Sequence, residues 1–204
     1  MFNTNAWNRI RYSVYQPFYD VIANYFRSYR LRSIQTLDLK NDDKILILGA
    51  GTGLDLEFLI GFENITAIDI TPGMLTKLEE RARNFEIHVD SKVMDASNLE
   101  FADHSFDAVI LHLIVAVIPD PISCMQETER VLKPGGKFTV MDKFINPGKN
   151  PSIFRRLINP ITTFLATTLN RDIDELLSKT ELKKETHEKM DRLFWLIQGS
   201  KVSS

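Results

Sequence analysis

Lys44-Ile45-Leu46-Ile47-Leu48-Gly49-Ala50-Gly51-Thr52-Gly53 joins a short, almost continuously apolar run to a loop with glycine at alternate positions. Such a run suits a strand buried on both faces, as in a parallel sheet covered by helices. The glycines let backbone N–H groups, and the N-terminus of a helix expected over about Asp55 to Ile60, approach a ligand closely. Together they suggest a nucleoside-binding turn at the first strand of an α/β sheet. A dinucleotide fingerprint beginning at Gly49 requires glycine at position 54, where the chain has Leu54, so the loop is not of the NAD form. A glycine turn that only packs helix against strand is the plainer alternative.

Downstream, Ile65 to Asp69 reads as a second strand ending in a carboxylate about twenty residues after the first glycine, where an acid accepts both hydroxyls of a ribose. Its alternative role is to cap the Thr71-Pro72 turn, although Thr71 suits the cap and Pro72 the first helical position. The alternation continues with helix Pro72 to Asn84, strands His88 to Met94 and Phe106 to Leu111, and helix Pro121 to Leu132. A turn at Lys133-Pro134-Gly135-Gly136 precedes strand Lys137 to Asp142. Strands alternating with helices give an α/β fold with a parallel sheet covered on both faces. A helix carrying Ile153, Phe154 and Leu157 follows, then helix Asp172 to Thr180 and strands Lys183 to Met190 and Phe194 to Ser200.

Upstream, Phe18, Val21, Ile22, Tyr25, Phe26 and Tyr29 recur at helical spacing and form an amphipathic helix, followed by a second helical stretch over Leu31 to Leu37. The 204 residues suit one domain, with residues 1–40 as a helical cap and 41–204 as the body. No apolar run is long enough to cross a bilayer and the opening lacks a signal-peptide layout, so a soluble, cytoplasmic chain is expected. Cys124 is the sole cysteine and reads as helix packing; the four histidines show no metal-ligand spacing, and no metal is expected. Charge is uneven: 18 acidic against 8 basic residues over 41–142, between basic flanks at 1–40 and 143–171.

The landmarks in order resemble the class I S-adenosylmethionine methyltransferases: Ile45 to Gly53, Ala67 to Leu75 (AIDITPGML), Met94-Asp95-Ala96, Phe106 to Val109, and Arg130 to Phe138 (RVLKPGGKF). The resemblance implies a Rossmann-like, mostly parallel seven-stranded sheet with helices on both faces and an antiparallel C-terminal strand. It also implies S-adenosyl-L-methionine as cofactor, its methionine part over Gly49, Ala50, Gly51, Thr52 and Gly53. Asp69 then holds the ribose, Ile70 and Met74 enclose the adenine, and Asp95 accepts from the adenine amino group beside the Ala96 N–H. His112 faces the methionine part and is the histidine best placed as a base; a histidine satisfied at a strand end is its plain alternative.

The opening Tyr12-Ser13-Val14-Tyr15-Gln16-Pro17-Phe18-Tyr19-Asp20 is similar to that of the soluble bacterial phosphatidylethanolamine N-methyltransferases and their menaquinone-methylating cousins. That similarity puts Tyr12 and Tyr19 beside the cofactor, with Tyr19 and His112 as the catalytic candidates. It implies a lipid or small-molecule methyl acceptor, a phospholipid amine such as phosphatidylethanolamine first, with a soluble metabolite or quinone precursor as alternative. An amphipathic helix over 18–32 and the basic 143–171 segment suit peripheral contact with an anionic membrane, whereas the helix ordinarily just covers a core. A non-catalytic domain binding S-adenosylmethionine is the remaining alternative. Nucleic acid is not expected as a partner, because the acidic middle repels phosphate. Asp142-Lys143 replaces the phospholipid family's Asn-His after strand 5, and Val115-Ala116-Val117 makes the neighbouring pocket apolar.

Overall fold

In the computed structural model, which describes residues 25–145, 171–191 and 193–203, strands β1 (Lys44–Leu48), β2 (Asn64–Asp69), β3 (Val89–Val93), β4 (Phe106–His112), β5 (Leu132–Lys143), β6 (Leu182–Lys189) and β7 (Phe194–Lys201) form one sheet. Its order is β3-β2-β1-β4-β5-β7-β6. The first five strands pair in parallel, and β7 enters antiparallel between β5 and β6. The mixed seven-stranded α/β sheet is therefore as expected. Helix α1 spans 25–35, α2 Pro72–Asn84, α3 Pro121–Val131 and α4 Ile173–Leu177.

Alternation along β1 divides the core in two. Ile45 and Ile47 join Ile34 and Leu37 at the end of α1 and Leu75, Leu78 and Ala82 of α2. Leu46 and Leu48 join Cys124, Met125 and Val131 of α3 and Ile173, Leu176 and Leu177 of α4. The four side chains from Ile45 to Leu48 are all buried on one face or the other, which is why β1 has no polar position after the exposed Lys44 at its start. Burying each one fully contributes about 1.5–3 kcal/mol.

Three local expectations change. The two helical stretches predicted across Phe18 to Leu37 are, within the described residues, one continuous helix, α1. In place of a helix over Asp55 to Ile60 there is one 3₁₀ turn, Leu56–Phe58, closed by Phe58 N–H to Asp55 O (3.1 Å) and Leu59 N–H to Leu56 O (3.0 Å). Gly61, at φ 96°, turns the chain before an α-helical turn can propagate. The Lys133 to Gly136 turn lies inside β5 as a loop-out, since Phe106 pairs with Leu132 and Ala108 already with Lys137. Lys133 Nζ fastens it to both Asp107 oxygens at 2.7 Å. The helix read through Ile153, Phe154 and Leu157 lies outside the described residues.

Candidate cofactor and acceptor site

Strand order reverses about β1, with β2 and β3 on one side and β4 and β5 on the other, so the ends of β1 and β4 open on a topological switch point. The loop leaving β1 there holds Gly49, Gly51 and Gly53 at φ 63°, 55° and 78°. Two of these glycines are also required by packing. A Cβ at Gly49 would lie 2.6 Å from Ile114 Cδ1, and one at Gly53 2.9 Å from Leu78 Cγ. Ala50 N–H stays bonded to Ile68 O (2.9 Å), and Arg81 Nε of α2 donates to Thr52 O (3.0 Å).

Asp69 ties this loop to the next. Its Oδ2 accepts from Gly51 N–H at 2.9 Å and its Oδ1 from Thr71 N–H at 2.8 Å. Burial pushes its carboxyl up, and the two amides only partly oppose that. Thr71 occupies the cap position of α2 without a side-chain cap bond, so Asp69 serves that turn as well as the glycine loop. Ile70 is half-buried beside it, and Met74, in the first turn of α2, is buried. Met94 N–H bonds to Asp69 O (3.2 Å), which sets the end of β3 beside the end of β2. There Asp95 Oδ1 accepts from Ser97 N–H (2.9 Å) and Ser97 Oγ (2.7 Å), and Ala96 is buried. Gly49 to Gly53, Asp69, Ile70, Met74, Asp95 and Ala96 thus meet along the ends of three adjacent strands.

His112 closes β4 elsewhere, with its ring beneath α1. A carboxylate only accepts, so Nδ1 donates to Asp55 Oδ1 at 2.7 Å, while Nε2 meets Ser33 Oγ at 2.8 Å. Both ring nitrogens are engaged, and the residue is buried. Arg30 Nη1 donates to both Asp55 oxygens at 2.8 Å. Burial pushes the Asp55 carboxyl up, but the Arg30 guanidinium and the His112 ring together outweigh it and hold the carboxyl well below the usual range. Ser33–His112–Asp55 has the order of a nucleophilic triad. Ser33, however, is wholly buried and its Oγ also bonds Thr139 Oγ1 (2.7 Å), leaving no approach for an electrophile.

Beyond His112 the chain passes through Leu113 at φ 63°, a conformation costly for a side-chain-bearing residue, with its N–H held by Met141 O at 2.8 Å. No feature of the sequence marks this bend. Asp142, at the end of β5, fixes the same loop, accepting from Ala116 N–H (2.7 Å) and Lys143 N–H (2.8 Å). Burial pushes its carboxyl up as well. An Asp142→Asn substitution turns one acceptor into a donor facing an N–H. It is expected to lower stability by about 1–3 kcal/mol, read by urea denaturation. Lys143 lies over the Phe194 ring at 5.2 Å, and burial pushes its ammonium down. Burial pushes the Cys124 thiol up to about 12, so this cysteine is core packing and not a nucleophile. Tyr12 and Tyr19 lie outside the described residues.

Residues 46–140, from β1 into β5, match the family model described as a methyltransferase domain. Over that segment, just under half of the sequence, the chain is similar to a methyltransferase domain. The domain is 31% identical over 103 residues to a phosphatidylethanolamine N-methyltransferase of Cereibacter sphaeroides, covering 50% of this chain and 51% of that one. It is 33% identical over 132 residues to a demethylmenaquinone methyltransferase of Paenarthrobacter aurescens, covering 62% and 51%. The chain spans about half the length of these curated relatives. A solved SAM-dependent methyltransferase of Methanosarcina mazei superposes with TM-score 0.65 at 25% identity, covering 84% of this chain and 97% of that one. The cofactor of such a domain is S-adenosylmethionine, and the residues present fit it. Each Asp69 oxygen keeps a further lone pair for a hydroxyl donor, and the glycine loop beside it is free of side-chain bulk at alternate positions.

Proposed function

We propose that the chain transfers the methyl group of S-adenosylmethionine to a small-molecule or lipid acceptor. The observation that carries this reading is the meeting of the glycine loop, Asp69 and Asp95 at three neighbouring strand ends inside the segment that matches the methyltransferase family. When bound, the sulfonium supplies an already activated methyl, so the residues around it need mainly to aim and enclose. Asp69 holds the ribose hydroxyls while keeping the loop in register, Ile70 and Met74 flank the adenine, and Asp95 with the Ala96 N–H reads its edge. Residues 1–40 cap the body formed by 41–204, with Tyr12 and Tyr19 over the cofactor. His112, with both nitrogens bonded internally, supports the loop and is not the base of the reaction.

The phospholipid relative favours an amine head group as acceptor. One specific observation favours a small soluble acceptor or quinone precursor instead. In α1, Arg27 pairs with Glu57, Arg30 with Asp55 and Arg32 with Glu188, while Phe26 packs on Phe194 and Tyr29 donates to Met190 O. Phe26 and Arg30 are thus buried against the body, and although Arg27, Arg32 and Tyr25 are exposed, both arginines are already paired within the chain, which lessens the charge that the described part of the helix offers an anionic bilayer. The rest of the 18–32 helix and most of the basic 143–171 segment lie outside the described residues. Among the described residues no helix is long and apolar enough to cross a membrane.

Asp69→Ala is expected to weaken binding of S-adenosylhomocysteine by about 1–3 kcal/mol through a lost charged hydrogen bond. Isothermal titration showing unchanged affinity in a folded variant overturns the ribose assignment. Labelled S-adenosylmethionine offered with amine, quinone and phospholipid acceptors identifies the substrate class, and binding without transfer to any of them favours a non-catalytic domain. Sedimentation with phosphatidylglycerol vesicles at low salt separates the acceptor readings, since the lipid-surface reading requires the chain in the pellet.

A further inference from the structure

A buried polar seam runs under α1 across four successive elements of one face. Gln198 Nε2 of β7 donates to Ser33 O (3.1 Å), Ser33 Oγ meets Thr139 Oγ1 of β5 and His112 Nε2 of β4, and His112 Nδ1 donates to Asp55, which also holds Arg30. Ser33, Thr139, His112, Asp55 and Arg30 are each no more than 4% exposed. Apolar packing alone tolerates sliding of a helix on a sheet, but hydrogen bonds buried at this depth do so only at high cost, so the seam fixes the register of α1.

The seam ends on the cofactor loop. Asp55 lies two residues after Gly53, at the cap position of the 3₁₀ turn, where an aspartate ordinarily accepts from the turn's own amides. Here it makes no side-chain cap bond, and its carboxylate is turned to Arg30 and His112. The turn that follows the glycines is thus held by a helix more than twenty residues upstream. Leu56 N–H bonds Gly53 O (3.1 Å) and Gly53 N–H bonds Ala50 O (3.0 Å), so a shift of Asp55 is passed to the loop through two adjoining backbone bonds.

We propose that Arg30, Ser33 and His112 are positioning residues for the glycine loop, coupling the seating of α1 to binding of the S-adenosyl ligand, a role that rests on the methyltransferase reading above. On this proposal all three act from within the buried seam, where each is hydrogen-bonded internally. They act by holding Asp55, and through it the amides of the loop. Linkage makes the effect reciprocal: ligand that favours the ordered loop must favour the seated helix by the same factor.

Ser33→Ala cuts the seam on the helix side of His112. His112→Gln keeps a polar group toward Ser33 and withdraws the donor from Asp55. Both are tested at a temperature where circular dichroism shows each fully folded, with S-adenosylhomocysteine as the probe. Calorimetric Kd is expected to rise about tenfold in each, within the ordinary range of coupling between sites. In the wild type the ligand should slow hydrogen exchange of the amides of 27–35, and in the variants that slowing should vanish, a change that a merely structural role does not produce. Unchanged affinity in both folded variants, or ligand protection of 27–35 equal to wild type, overturns the proposal. Should Asp69→Ala lose binding while the seam variants retain it, the coupling alone fails; a wild type that binds no S-adenosylhomocysteine overturns the methyltransferase reading with it.

Discussion

Arg30→Met is expected to lower unfolding free energy by about 3–5 kcal/mol, since it leaves Asp55 as a buried carboxylate without its guanidinium. The pair is nearly solvent-free, with side chains 5% and 4% exposed, and Arg30 reaches both carboxylate oxygens. Removing both charges together, Arg30→Met with Asp55→Asn, should lose less than the two single changes added, because the new amide oxygen still accepts from His112 Nδ1 and no lone buried charge remains. Urea denaturation of the four forms gives the comparison. The pH dependence has a definite sign. The folded carboxyl of Asp55 titrates below the unfolded value of about 3.9, so its contribution is complete above that pH and fades as pH falls through the depressed value. The gap between wild type and Asp55→Asn should therefore narrow as pH is taken below about 4. A gap that stays constant contradicts the ionised pair.

Gly199→Ala should be comparably severe for a different reason. An added Cβ would lie 1.9 Å from Lys183 O and 2.8 Å from a Phe138 ring carbon. The first contact sets a Cβ against a backbone oxygen, and no rotamer moves either atom. It falls where β6 shifts register between Lys184 and Thr186. A loss of about 3 kcal/mol or more is expected, at or above the upper end of ordinary overpacking, with faster exchange of the β6 amides before global unfolding. Gly61→Ala makes a useful contrast: nothing lies within 4 Å there, and only its φ of 96° opposes the change. Equal stabilities for wild type and Gly199→Ala would show that the two strands sit farther apart than described.

The sheet was legible because its strands obey local rules. Ile45 to Leu48 needs apolar groups on both faces, and Thr71-Pro72 announces its helix by the chemistry of the first turn. The Asp55 to Ile60 helix misled for the opposite reason. Leu56, Leu59 and Ile60 have helical spacing, but a glycine on each side leaves too few residues to nucleate more than one turn. In the site, Asp69 could be read because it ends β2 at a spacing set by the unit itself, whereas Asp95, two residues past β3, was singled out only through the family resemblance. Arg30 and Ser33 could not. Their partners lie 25 and 79 residues away, and on a helical wheel they are a cation and a small polar residue on a helix whose apolar face is plain. His112 was visible as chemistry, but which way its ring points depends on α1 crossing above it, information held in no single segment.

The place of β7 bears on how the chain is made. β5 offers its outer edge, and that edge is filled only by residues 194–201; β6, synthesised earlier, pairs with nothing but β7 among the described residues. While the chain grows, the parallel half of the sheet can assemble around β1, yet the edge of β5 from Lys137 to Lys143 stays open to any other extended chain until the β6–β7 hairpin arrives. Ribosome-bound nascent chains ending before residue 194 should therefore be the form that most needs a chaperone.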